Sequence, residues 1–157
     1  MNAKLIALAF ALVALESFTF DFRSTSWFMS QEQVVASESD TQYTESDSED
    51  GIHAVMYNVQ IEGSYGFLVY YFMDGKLVAG QYLLFGTEEE VAKIFEESVD
   101  FLKTKYGKPN DITESEANWY LERTRISLWL FATKFNGWFL EKNYANKKEK
   151  EFEGEAP

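Results

Sequence analysis

The sequence predicts an α+β protein with an antiparallel sheet of two three-stranded meanders, a long helix between them and a short N-terminal helix. Residues 53–61 alternate in polarity and residues 65–73 are apolar on both faces, as in a central strand. Asp74-Gly75 and Asn136-Gly137 are hairpin signals, one in each meander. Between them, residues 87–107 place apolar side chains at helical spacing. A helix on one face of a combined antiparallel sheet would bury the apolar sides of both.

Length and composition indicate one packed domain. The chain has 157 residues, of which 17% are aromatic and only two are proline. Its net charge of −12 repels phosphate backbones and anionic lipids, which argues against nucleic-acid and peripheral membrane binding. The same charge favours a basic partner or simply maintains solubility. No cysteine is present, which excludes disulfides, thiol catalysis and a cysteine-linked lipid anchor.

The N-terminal residues have the pattern of a secretory signal. Lys4 precedes the apolar run 5–15, which is short for a membrane span. We therefore expect residues 1–17 to be a signal peptide and the protein to be secreted or, since it lacks disulfides, periplasmic in a bacterium. A buried N-terminal helix and an uncleaved anchor are the alternatives, because Leu15-Glu16-Ser17 is a poor cleavage context.

After the signal, we expect a single domain over residues 18–146 and a charged, flexible tail over residues 147–157. Within the domain, residues 37–50 contain six acidic and no basic side chains. Such a stretch predicts a solvated, acidic loop.

The remaining elements are predicted from local signals. Residues 18–23 alternate in polarity, which indicates a first short strand, and Ser30 with Gln33 has the spacing of a capping box. The long helix begins at Thr87, has three glutamates in its first turn and ends near Gly107. The strands of the two meanders are predicted at 52–61, 65–73, 77–85, 117–122, 124–131 and 138–144.

No residue pattern indicates catalysis, a metal or a cofactor. His53 is the only histidine, which excludes a histidine triad or a histidine-rich metal site, and its strand position suits a structural role. The segment 47–51 resembles a calcium loop superficially, but its glycine comes too early and no glutamate closes it. The other acidic residues lie where solvation explains them, and no glycine-rich phosphate loop is present. We therefore expect a protein that is not an enzyme.

Aromatic residues on the predicted strands are the candidate binding residues. Such side chains either fill the core and form cross-strand pairs or, on a sheet face without a helix, form a binding surface. Both readings apply to Tyr65, Tyr71, Trp119, Trp129 and Trp138.

Residues 27–34, Trp-Phe-Met-Ser-Gln-Glu-Gln-Val, resemble the Trp-Gly-Met-Ser/Thr-x-x-Glu/Gln-Val segment that follows the signal in small exported bacterial proteins. Similar helix starts occur in β-lactamase-inhibitory protein and in the small lipoproteins of outer-membrane barrel assembly. The segments 74–77 and 105–109 are similar to those of exported proteins with the same layout. The resemblance implies a helix-plus-meander fold and non-catalytic binding to a protein. Phe28 replaces the usual glycine, and without cysteine neither the lipid anchor nor the inhibitor's disulfides carry over.

The sequence therefore predicts an exported, non-catalytic domain that binds a protein or peptide through a sheet face or the acidic loop. A small apolar ligand held between helix and sheet is the alternative function. A carboxylate-based hydrolase is the third. No membrane association is expected once the signal is removed.

Overall fold

The computed structural model describes residues 21–133 and 137–147. This part of the chain forms an eight-stranded antiparallel sheet and two helices. The helices are α1 (Gln31–Ser37) and α2 (Glu88–Tyr106). The strands are β1 (Thr44–Asp47), β2 (Ile52–Ile61), β3 (Ser64–Met73), β4 (Lys76–Gly86), β5 (Asp111–Ile112), β6 (Glu116–Tyr120), β7 (Thr124–Ala132) and β8 (Trp138–Asn146).

The sheet is continuous, with the strand order β1-β2-β3-β4-β8-β7-β6-β5. Strand β4 pairs with β8 from Ala79 opposite Ala145 to Gly86 opposite Trp138. The predicted arrangement of two three-stranded meanders with a helix between them is therefore wrong. Two separate meanders would leave β4 and β8 as unpaired edges, whereas their pairing satisfies both backbones. The long helix connects β4 to β5 along the chain and packs on one face of the single sheet.

Two short edge strands extend the sheet beyond the predicted ones. Strand β1 lies inside the segment 37–50, which was predicted to be a loop, and pairs with β2. All of its side chains are exposed, so the acidic residues stay solvated while the backbone makes ladder hydrogen bonds. Strand β5 has two residues and pairs with β6. Both edges are short or charged, which limits pairing with other chains.

The N-terminal part of the expected domain differs from the prediction. Residues 21–25 form a turn with one isolated bridge between Phe22 and Thr25, instead of continuing a strand. Residues 18–20 of that predicted strand lie outside the described residues. The predicted signal peptide, the tail beyond Lys147 and Asn136 of the second hairpin signal lie outside them as well.

The capping boxes predicted for both helices are confirmed. In α2 the Thr87 side chain accepts a hydrogen bond from the backbone of Glu90, whose carboxylate accepts one from the backbone of Thr87 at 2.9 Å. Gly107 ends the helix with φ 83°, a left-handed conformation that favours glycine. Neither helix of the described chain is both long and apolar enough to cross a membrane.

Both helices pack on the same face of the sheet, which we call the covered face. Helix α2 lies over β4, β6, β7 and β8, and the N-terminal segment 21–38, which includes α1, lies over β2, β3 and β4. The buried residues of α2 are Val91, Ile94, Phe95, Val99 and Leu102. The buried apolar residues of the N-terminal segment are Phe22, Trp27 and Val34. The core of the described chain is therefore a single layer between the sheet and these two elements.

Candidate binding surface

The second face of the sheet carries no helix in the described part of the chain, and we call it the open face. Successive side chains in a strand alternate between the two faces, and directly opposed residues share a face. The strand register therefore arranges the open-face side chains in rows across the sheet. One row comprises Tyr65, Phe85, Phe139 and Phe131. The next comprises Phe67, Leu83, Glu141, Trp129 and Glu116.

The first row, which we call the aromatic ladder, places one aromatic residue on each of four neighbouring strands. Phe85 and Phe139 meet edge to face at 4.4 Å between ring centroids, and Phe139 stacks on Phe131 at 5.4 Å. Both arrangements are favourable for aromatic pairs. The two ends of the ladder are exposed, with 68% of Tyr65 and 40% of Phe131 accessible. The ladder thus presents a preordered apolar surface.

Beside the ladder, the carboxylate of Glu141 is held by side-chain amides. Its Oε1 accepts hydrogen bonds from Gln81 Nε2 at 2.6 Å and from Asn143 Nδ2 at 2.7 Å. The hydroxyl of Tyr71 donates to Gln81 Oε1 at 2.6 Å. Burial, with the nearby charge of Glu141, raises the pKa of Tyr71 to about 12. The phenol therefore remains a donor at neutral pH and fixes the amide that holds the carboxylate.

A second carboxylate is oriented in a similar way. Glu116 Oε1 accepts hydrogen bonds from the indole Nε1 of Trp129 at 3.2 Å and from Asn118 Nδ2 at 2.7 Å. In the register, Trp129 lies directly opposite Glu116 on one side and Glu141 on the other. Neither carboxylate forms a salt bridge with a described residue. The open face therefore combines an indole with two oriented carboxylates that lack a basic partner within the described chain.

The five predicted candidates divide between the two faces. Tyr65, Tyr71 and Trp129 lie on the open face. Trp119 is 1% exposed on the covered face and donates its indole N–H to the carbonyl of Gly107 at 3.0 Å. Trp138 packs against the core cluster beneath α2. Trp119 and Trp138 therefore belong to the core and have no part in the open face.

Sequence reasoning missed the other members of this surface, namely Phe85, Phe131, Phe139, Glu116 and Glu141. Glu116 precedes the predicted strand 117–122. For the other four, alternation within the predicted strands places them opposite the apolar core positions, so a local signal exists for their face. That signal does not show which strands are neighbours. The pairing of β4 with β8 brings Phe85 and Phe139 together.

His53 and the acidic segment lie at the β1 edge of the sheet. The Nδ1 atom of His53 lies 2.7 Å from Asp47 Oδ1, across the pairing of β1 with β2. The segment around Gly51 is the tight turn between these strands, and Gly51 has φ 78°. Among the described residues, no group of three or more histidine, aspartate or glutamate side chains is arranged to hold a metal ion.

Comparisons with protein-family models, with curated proteins and with solved structures give no match to this chain. The resemblance of residues 27–34 to small exported proteins therefore stays a prediction. In the structure, this segment leads into α1, and Trp27 is buried with its indole N–H donated to Thr124 Oγ1 at 3.0 Å.

Proposed function

We propose that the protein is a non-catalytic binding domain whose open face contacts a protein partner that presents basic side chains. The observation that carries this proposal is the exposed aromatic ladder beside the two oriented carboxylates flanking Trp129. Contiguous apolar patches with polar neighbours are typical of protein interfaces, and tyrosine and tryptophan are enriched among their energetically dominant residues.

The chemistry of the surface favours a basic partner. Glu116 and Glu141 are already oriented by N–H donors, so little conformational entropy is lost when a cation pairs with them. A lysine or arginine of the partner stacked on Trp129 would meet the indole face and both carboxylates. The net charge of −12 would also accelerate encounter with a basic protein. The aromatic ladder would supply the apolar contact area beside this charged contact.

The experiment is a binding comparison between open-face variants and a matched control. The full chain is used as bait, and the affinity for a captured protein is measured with Tyr65→Ser, Phe131→Ser and Tyr43→Ser. Tyr43→Ser is the matched control. Tyr43 is as exposed as Phe131, at 38% against 40%, but it packs against Tyr57 of the covered face and not on the open face. We expect each open-face variant to weaken the affinity by about 2 kcal/mol, and the control to leave it within about 0.5 kcal/mol.

The charge of the partner is tested with Glu116→Gln and Glu141→Gln, which keep the shape of both side chains. We expect weaker binding and a smaller dependence of the affinity on salt concentration. Equal loss of affinity in Tyr43→Ser would contradict the open-face assignment, and an unchanged salt dependence would contradict a basic partner. Self-association of the chain that the open-face variants abolish would show a second copy as the occupant, and would also overturn the proposal.

We further propose that residues 1–17 direct export. The basic residue and the short apolar run support this proposal. Intact mass of the protein recovered from its source cells checks it. A mature form that begins close to Phe18 is expected, whereas an intact N-terminus in a cytoplasmic fraction would contradict export.

A further inference from the structure

A cleft of about 420 Å³ lies on the covered face, between α2 and the turn at residues 21–25. This volume is within the range of small-molecule sites. The sheet lines it with Tyr82, Lys142 and Tyr144, and apolar side chains of Ile61, Ile94 and Leu102 complete its walls. The cleft is separated from the open face by the sheet itself.

Lys142 is an unusual residue for this position. It lies on the covered face, directly opposite Tyr82 of β4 and Leu128 of β7, and is half-buried. Its Nζ atom is 6.0 Å from the centroid of the Tyr82 ring. It forms no salt bridge with a described residue. A half-buried ammonium without a salt-bridge partner costs free energy that an apolar residue at this position would avoid.

The carboxylates that line the cleft already have partners. Glu62 and Glu97 both contact the Nζ atom of Lys93, at 3.2 Å and 3.6 Å. Asp21 contacts Arg123 at 3.1 Å. These acidic side chains are therefore compensated outside the cleft, and none of them comes within salt-bridge distance of Lys142.

The other basic residues of the cleft are engaged as well. Arg23 binds the carboxylate of Glu38 at 2.9 Å and the hydroxyl of Tyr82. Lys105 lies over the ring of Tyr106 at 4.9 Å. Lys105 is exposed to solvent, so among the described residues that line the cleft Lys142 is the half-buried cation without a salt bridge.

We propose that the cleft binds a small carboxylate with an apolar chain, and that the ligand carboxylate pairs with Lys142. Ile61, Ile94 and Leu102 would contact the apolar chain of the ligand. Tyr144 follows Lys142 by two positions in β8, so its side chain lies on the same face and also lines the cleft. A single ammonium matches one negative charge. The nearby negative charges of Glu62 and Glu97 repel a doubly charged phosphate about twice as strongly as a singly charged carboxylate, which favours the carboxylate.

The pKa of Lys142 is consistent with a half-buried ammonium that lacks a salt bridge. Burial lowers the pKa of Lys142 to about 8, although Glu62 and Glu97 act to raise it. An anion bound beside the ammonium would favour its charged form and raise this pKa. Burial also raises the pKa of Tyr144, so its hydroxyl stays a neutral donor.

The test uses octanoate and octan-1-ol as probes for the full chain, with binding measured by calorimetry near neutral pH. We expect octanoate to bind the wild type and Lys142→Arg, and to bind Lys142→Met about tenfold or more weakly. We expect octan-1-ol to bind all three alike, because it lacks the charge. No octanoate binding, or equal octanoate binding to Lys142→Met and the wild type, would overturn the proposal.

A second measurement keeps the proposal testable if Lys142→Met does not fold. In the wild type, the NMR signal of the Lys142 Cε methylene, assigned by its absence in Lys142→Arg, is followed during both titrations. A shift with octanoate and none with octan-1-ol is expected. An octanoate titration that leaves this signal unmoved would contradict contact between the carboxylate and Lys142.

Discussion

On the covered face, the ring of Phe22 packs directly against the backbone of Gly80. A Cβ atom on Gly80 would lie 2.0 Å from the Phe22 ring, which is itself 2% exposed. Phe22 also packs on Tyr70 and Tyr144, at 5.4 Å and 4.9 Å between centroids. The absent side chain at Gly80 therefore makes the space in which the N-terminal segment docks on the sheet.

We expect Gly80→Ala to lower the free energy of unfolding by about 1–3 kcal/mol, because the added methyl overpacks a filled site. Urea denaturation measures the change. The control is a double-mutant cycle with Phe22→Leu, whose smaller side chain leaves room for the methyl. The cost of Gly80→Ala should be smaller in the Phe22→Leu background, and strictly additive effects would show that the Phe22 ring is not the cause.

At the scale of the element, α2 depends on its N-terminal cap. The Thr87 side chain accepts the backbone N–H of Glu90 at 3.3 Å, and three glutamates occupy the first turn. We expect Thr87→Ala to destabilise the protein by about 1 kcal/mol, because a backbone donor loses its partner. Urea denaturation again measures it. Thr87→Ser keeps the hydroxyl and serves as the control, so a loss as large in Thr87→Ser as in Thr87→Ala would argue against the cap.

Elements with a local signal were the most predictable. The alternation of residues 53–61, the Asp74-Gly75 turn and the Thr87 cap each reflect contacts within a few residues of sequence. Strand β1 has no such signal, because its four side chains are exposed and the strand exists through backbone pairing with β2. Its acidic composition therefore pointed to a loop.

At the scale of the whole molecule, Lys142 makes stability depend on pH. The pKa of Lys142 is about 8 in the folded state against an ordinary value of 10.5, so the unfolded chain binds the proton more tightly. The lysine therefore opposes folding below pH 8, and this cost disappears as the pH rises from about 8 to 10.5.

We expect the stability of the wild type, relative to Lys142→Met, to increase by about 2–3 kcal/mol across this interval. The difference between the two proteins is used because the buried tyrosines, whose pKa values are raised, titrate in both. Thermal or urea unfolding at several pH values measures it. A difference that stays constant with pH would show that Lys142 keeps its ordinary pKa in the folded state.

The candidate surface could be predicted only in part. Tyr65, Tyr71 and Trp129 were identified from residue type and strand position. The same reasoning also selected Trp119, which is buried, because alternation separates the two faces without showing which face a helix covers. The partners of Trp129, Glu116 and Glu141, come from two different strands and were not identified.

The sequence by itself determined the positions of the main strands and the caps of both helices, because these follow from contacts between near neighbours. Only the tertiary structure decided that β4 pairs with β8. That pairing joins residues about sixty positions apart through backbone groups that every residue carries, so no local pattern encodes it. It is also the contact that completes the aromatic ladder and sets Lys142 opposite Tyr82 in the cleft.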